Sequence, residues 1–110
     1  HDLMSRIVNR DNAQAVIAVM HQRFAPVADM AKGFWLALED IRDPGNLGTI
    51  IRTADAVSCT GIVLIGQTCD AFAPEVVRAT MGSLPRVPLV AMTREEFMAW
   101  RTSYKGTMLG

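Results

Sequence analysis

An asparagine and an arginine six residues apart are the side chains of this 110-residue chain best placed to do chemistry. Asn46 follows the turn-forming run Asp43-Pro44-Gly45 and is predicted to cap a helix that carries Arg52. The free N–H groups at a helix N-terminus suit a phosphate. Six residues span about one and two-thirds helical turns, so the two side chains do not stack, but the long arginine can reach the same cleft. The alternative is an ordinary capped turn followed by a solvated arginine.

Four other charged residues are candidates for supporting roles. Arg78 and Arg86 can form a small basic patch with Arg52 that binds nucleic-acid phosphates, or can simply be solvated surface residues. Glu39 and Asp40 follow a predicted strand, and we interpret them as its polar end rather than as catalytic groups.

Composition limits the function classes. Half of the residues are hydrophobic, so the chain can form a core, and Met81, Met92 and Met98 are expected to fill it. Eleven basic and eleven acidic residues cancel, so any nucleic-acid contact must come from a local cluster, a partner or another segment. Cys59 and Cys69 lack zinc-site spacing and are predicted to be reduced, structural residues, with no metal site.

Strands and helices alternate around the candidate site. The predicted elements are a strand at 34–38, a helix at 47–57, a strand at 61–66, a helix from Pro74 closed by Gly82, a strand at 87–91, a helix at 94–103 with a Thr93–Glu96 capping box, and a strand starting at Thr107. This order predicts an α/β fold, a parallel sheet with helices on both faces. Ligands of such sheets bind at the carboxyl ends of the strands, where the loop after Leu38 lies.

The first 32 residues are predicted to be a lead-in to this sheet. They contain a helical pattern at 2–10, an apolar run at 15–20 that fits either a strand or a helix, and a short helix from Pro26 to Ala31. We divide the chain into a lead-in at 1–32 and a main part at 33–110 and interpret both as one domain. No apolar run is long enough for a membrane span and no signal peptide is recognisable, so we expect a cytoplasmic location.

The run from Asp43 to Ala54 closely resembles the first motif of the SpoU-type (TrmH-like) branch of the SPOUT RNA methyltransferases. The resemblance continues through 61–66 and 74–88 and covers roughly residues 13–110. It implies a SPOUT-like (Rossmann-like) fold, S-adenosylmethionine as cofactor, ribose 2′-O-methylation of rRNA or tRNA, and a homodimer.

The resemblance also assigns roles to two residues. The family's motif asparagine falls on Asn46 and its motif arginine on Arg52, on the RNA side of the active site. The arginine is thought to contact the target phosphate or ribose and to help activate the 2′-hydroxyl. Because this hydroxyl is a very weak acid, its attack on a methyl group needs a base or a nearby positive charge.

Two later family motifs, Gly-x-Glu and Ser-Leu-Asn, are not found. In the family they build the trefoil knot that holds the donor and supplies much of the dimer interface. Residues that bind the donor are therefore expected beyond Gly110, and the 110-residue chain is expected to bind S-adenosylmethionine weakly or not at all. One alternative is a non-catalytic module that binds RNA or a partner. A second and weaker alternative is a generic Rossmann-like nucleotide-binding domain, since the dinucleotide fingerprint is absent.

Overall fold

A parallel three-stranded sheet forms the centre of the computed structural model, which describes residues 22–110. The strands are β1 (Trp35–Glu39), β2 (Gly61–Ile65) and β3 (Leu89–Met92), and they lie in the order β1-β2-β3. Every residue of the central strand β2 is buried, which explains its unbroken run of β-branched and aliphatic residues.

Helices connect and cover the strands. They are α1 (Pro44–Ala56), α2 (Pro74–Ala79) and α3 (Arg94–Ser103), with 3-10 helices at Val27–Ala31 and Leu84–Arg86. The strand–helix alternation predicted from the sequence is confirmed through α3.

The core lies on both faces of the sheet. On one face, Leu47 and Ile51 of α1 and Val76 of α2 pack with Ile62 and Leu64 of β2. On the other face, the alternate β2 residues pack with Met30 of the first 3-10 helix, with β3 and with Phe97 and Trp100 of α3. The predicted α/β fold with helices on both faces is therefore confirmed.

The cap of α1 differs from the prediction. Asp43 is the N-cap, and its carboxylate accepts a hydrogen bond from the Asn46 N–H at 2.9 Å. Pro44 takes the first helical position, where its missing N–H costs nothing. The helix thus begins three residues earlier than predicted, and Asn46 lies in its first turn instead of at its cap. The Thr93–Glu96 capping box of α3 is present as predicted.

Strand boundaries also differ. β1 begins and ends one residue later than predicted, and β3 begins at Leu89 because the 3-10 helix before it continues to Arg86. Pro88 has no N–H, but its carbonyl accepts a hydrogen bond from Ile62 at 2.9 Å. The strand predicted from Thr107 is wrong: residues 107–110 are exposed and make no ladder within the described part of the chain.

The methionine prediction is correct for one of three residues. Met92 is buried, whereas Met81 and Met98 are exposed. The predicted short helix after Pro26 is a 3-10 helix. The elements predicted at 2–10 and 15–20 lie outside the described residues. No helix within residues 22–110 is long and apolar enough to cross a bilayer.

Candidate functional site at the start of the first helix

The candidate site lies where the chain leaves the carboxyl end of β1. Helix α1 starts five residues after Glu39, so its first turn lies at the carboxyl edge of the sheet. Asn46 is exposed in this turn. Its backbone N–H donates to the Asp43 carboxylate. Because the residue is exposed, its side-chain amide is accessible to a ligand.

Arg52 is exposed on α1, about 9 Å along the helix axis from Asn46 at the standard rise per residue. Its guanidinium Nη1 donates to the Sδ atom of Met81 at 2.8 Å. Met81 follows α2, so the arginine side chain is held over the junction between α1 and α2. Sequence analysis had no signal for this partner, which lies 29 residues away.

The two helices meet at Gly48. A Cβ atom at this position would lie 3.0 Å from the Val76 carbonyl and would collide with the Cβ of Ala79. The missing side chain lets α2 approach the backbone of α1 closely, and Gly48 is buried beneath α2.

The predicted basic patch is only partly assembled. Arg86 forms an ion pair with Asp55 of α1, with 3.5 Å between Nε and Oδ2. Arg52 and Arg86 therefore both lie along the contact between α1 and the segment that follows α2. Arg78 is exposed on α2, three residues before the Met81 partner of Arg52. The structure thus places Arg52 and Arg86 along one junction, with Arg86 partly neutralised by Asp55, while no contact joins the exposed Arg78 to them.

An ionic cluster that sequence analysis did not predict lies at the carboxyl edge of the sheet. Arg94 of α3 pairs with Glu39 and with Asp40, the latter at 3.2 Å. Asp40 also accepts the Gln67 N–H at 2.7 Å, and its φ of 52° is an unusual conformation for a residue with a side chain. The cluster joins the ends of β1 and β2 to α3, so the two acidic residues have structural partners. In the sequence, the one local sign of this ionic cluster is the acidic pair directly after the predicted strand.

Two of the cavities in the described part of the chain lie away from Glu39, Asp40 and Asn46. One, of about 510 Å³, lies between residues 22–29, α2 and the segment before β3. The other, of about 340 Å³, is an apolar groove between α1 and β1. No buried polar side-chain atom among these residues lacks a partner. We assign no donor-binding residue to either cavity.

The cysteines are placed as structural residues. Both Cys59 and Cys69 are free thiols and partly buried. The single S–H of Cys59 lies 3.2 Å from the carbonyl oxygens of both Phe34 and Gly61, either of which can accept it. Burial raises the pKa of Cys69, which keeps this thiol protonated and unreactive.

The chain matches the model of the SpoU rRNA Methylase family over residues 33–109, and it therefore belongs to this family.

Named relatives agree with this assignment. The AdoMet-bound rRNA methyltransferase of Sinorhizobium meliloti has 45% identity and a TM-score of 0.86, and the match covers 93% of this chain and 40% of that one. The 23S rRNA (guanosine(2553)-2′-O)-methyltransferase RlmP of Bacillus subtilis is 37% identical over 89 residues, which are 81% of this chain and 35% of that protein. The SpoU methyltransferase AviRb of Streptomyces viridochromogenes, solved with AdoMet, is 35% identical with a TM-score of 0.57, covering 62% of this chain and 26% of that one.

These similarities confirm the family and fold inferred from the first motif. The chain spans about a third to two-fifths of the length of its first two relatives. All three relatives are named methyltransferases, so the hypothesis of a non-catalytic module is not favoured.

Proposed function

We propose that the protein is an S-adenosylmethionine-dependent methyltransferase that modifies a ribose 2′-oxygen of rRNA or tRNA. The observation that carries the proposal is the exposed Arg52, held over the α1–α2 junction within the family's first motif. The names of the relatives support the reaction and the cofactor. We also propose a homodimer, as the family resemblance implies, and a cytoplasmic location.

The described residues are proposed to serve the RNA side of the reaction. S-adenosylmethionine, when bound, supplies an electrophilic methyl group. Arg52 places a positive charge beside the target phosphate or ribose and stabilises negative charge as it develops on the 2′-oxygen. A guanidinium stays protonated, so the proton of the hydroxyl passes to a phosphate oxygen or to water.

Asn46 is proposed to position the same nucleotide. Its exposed amide offers two N–H donors and one acceptor at the carboxyl edge of the sheet. The start of α1 adds a partial positive charge, which favours an anion. Arg78 and Arg86 are proposed to contact neighbouring phosphates, which positions the RNA without reading its sequence.

The test is methyl transfer by the protein as encoded by its gene. Arg52→Ala should lower kcat by about 100-fold or more, the usual effect of removing one group that stabilises transition-state charge. Asn46→Ala should lower kcat over KM for RNA. Donor affinity, measured by calorimetry, should stay within about threefold, because Arg52 is assigned to the RNA side.

A matched control is Arg101→Ala, which removes an exposed arginine from α3 instead of α1. It should leave transfer unchanged. If Arg52→Ala retained full transfer, or lost donor binding and transfer together, the role assigned to Arg52 would be wrong.

A further inference from the structure

Met81 occupies an unusual place for a large apolar side chain. It is 72% exposed, and its backbone has a φ of 50°, in the left-handed region that a side chain disfavours. Gly82, which follows it, also has a positive φ of 90°. A glycine at position 81 would take this conformation without steric cost.

The neighbouring residues hold this turn in place. Thr80 is fully buried, its hydroxyl donates to the Val77 carbonyl at 2.7 Å, and its N–H donates to the Val76 carbonyl at 3.0 Å. Ser83, on the other side, is buried and donates its N–H to the Thr80 carbonyl at 3.1 Å. The turn therefore presents Met81 outward from two fixed residues, and its conformation is imposed by the fold.

The Met81 side chain ends on the candidate catalytic arginine. Its Sδ atom accepts the 2.8 Å hydrogen bond from Arg52 Nη1. A thioether is a weak acceptor, whereas a guanidinium has five N–H donors in one plane. One weak contact therefore favours one orientation of the plane and leaves the other donors free for stronger bonds to a phosphate or ribose.

We propose that Met81 is a positioning residue for the methyl-transfer reaction, in which its thioether orients the Arg52 guanidinium toward the RNA before the RNA binds. The inference rests on the proposed function of Arg52. It adds a reason why an exposed methionine occupies a conformation suited to glycine: the turn places a sulfur atom over α1.

The test compares three substitutions in the protein as encoded by its gene. Met81→Leu keeps the apolar volume but removes the acceptor, and it should lower kcat by about tenfold while changing KM for RNA little, since misplacement of a reacting group acts on the chemical step. Met81→Gln restores an acceptor and should return most of the lost kcat. Met81→Gly relieves the backbone strain yet lacks the sulfur, so it should match Met81→Leu.

A second measurement follows Arg52 without catalysis. In the free protein, the NMR signals of the Arg52 guanidinium should show restricted rotation that is lost in Met81→Leu and regained in Met81→Gln. In an Arg52→Ala background, Met81→Leu should have no further effect on kcat.

The outcomes separate the two proposals. Unchanged Arg52 signals in Met81→Leu, or no rescue by Met81→Gln, would overturn the role of Met81. If those signals change as expected while Arg52→Ala leaves transfer intact, then Met81 orients the arginine but the proposed function of Arg52 fails.

Discussion

At the scale of single residues, Gly48 controls how the site is assembled. Its missing side chain lets α2 lie directly on α1, with the Val76 carbonyl 3.0 Å from the place where a Cβ would stand. This close approach brings the turn after α2 to Arg52. A glycine inside a helix normally destabilises it, so the residue is explained by the contact between the helices rather than by the helix itself.

We therefore expect Gly48→Ala to lower the free energy of unfolding by about 1–3 kcal/mol, because overcrowding of a packed contact outweighs the gain in helix propensity. Urea denaturation measures this change. Gly45→Ala is the matched control, since a Cβ there would meet only the Asp43 carboxylate at 3.6 Å. If both variants were equally stable, the packing role of Gly48 would be refuted.

At the scale of elements, side chains at the helix starts determine where α1 and α3 begin. Asp43 accepts the Asn46 N–H in α1, and Thr93 accepts the Glu96 N–H at 3.0 Å in α3. Glu96 returns a hydrogen bond from its carboxylate to the Thr93 N–H at 2.8 Å. In both helices the cap satisfies backbone donors that have no partner within the helix.

Thr93→Ala should accordingly destabilise the fold by about 0.5–2 kcal/mol, the range for loss of a capping side chain. The control is Thr102→Ala in the same helix, because Thr102 is exposed and its hydroxyl contacts only the Ala99 carbonyl one turn earlier. Thermal unfolding distinguishes the two variants. Equal melting temperatures would show that the capping box contributes nothing measurable.

At the scale of the whole molecule, the charges of these 110 residues balance, with a formal net charge of zero. The proposed RNA binding therefore depends on local arginines such as Arg52 and Arg86 at the α1–α2 junction. Asp55 lies within this junction and pairs with Arg86. It therefore limits how many positive charges the surface offers to phosphates.

Asp55→Asn should free Arg86, strengthen RNA binding at low salt, and steepen the dependence of log K on log salt by about 0.7, the value for one additional phosphate contact on a single strand. Fluorescence anisotropy with a labelled RNA at several salt concentrations measures the slope. Asp29→Asn is the control, since it makes the same charge change in the 3-10 helix before β1. Identical slopes for the two variants would show that Arg86 does not contact RNA.

Much of the fold was predictable from the sequence because its signals are local. Three signals each lie within a few consecutive residues: the glycine-flanked apolar run at β2, the turn before α1, and the capping box of α3. The order of these elements implied a parallel sheet, and the first motif identified Asn46 and Arg52. The missed details were also local in origin: Asp43 and Asn46 are both good caps, and Pro44 favoured the earlier start.

What only the tertiary structure decided is which side chains meet across the chain. Arg52 contacts Met81 29 residues away, and Arg94 contacts Asp40 54 residues away. The apolar side chain of Met81 predicted a place in the core, but the turn between Thr80 and Ser83 directs it to the surface and onto the arginine. The sequence by itself determined the elements and the candidate arginine, since these depend on neighbouring residues. The orientation of that arginine depends on how α2 packs against Gly48, which no local pattern records.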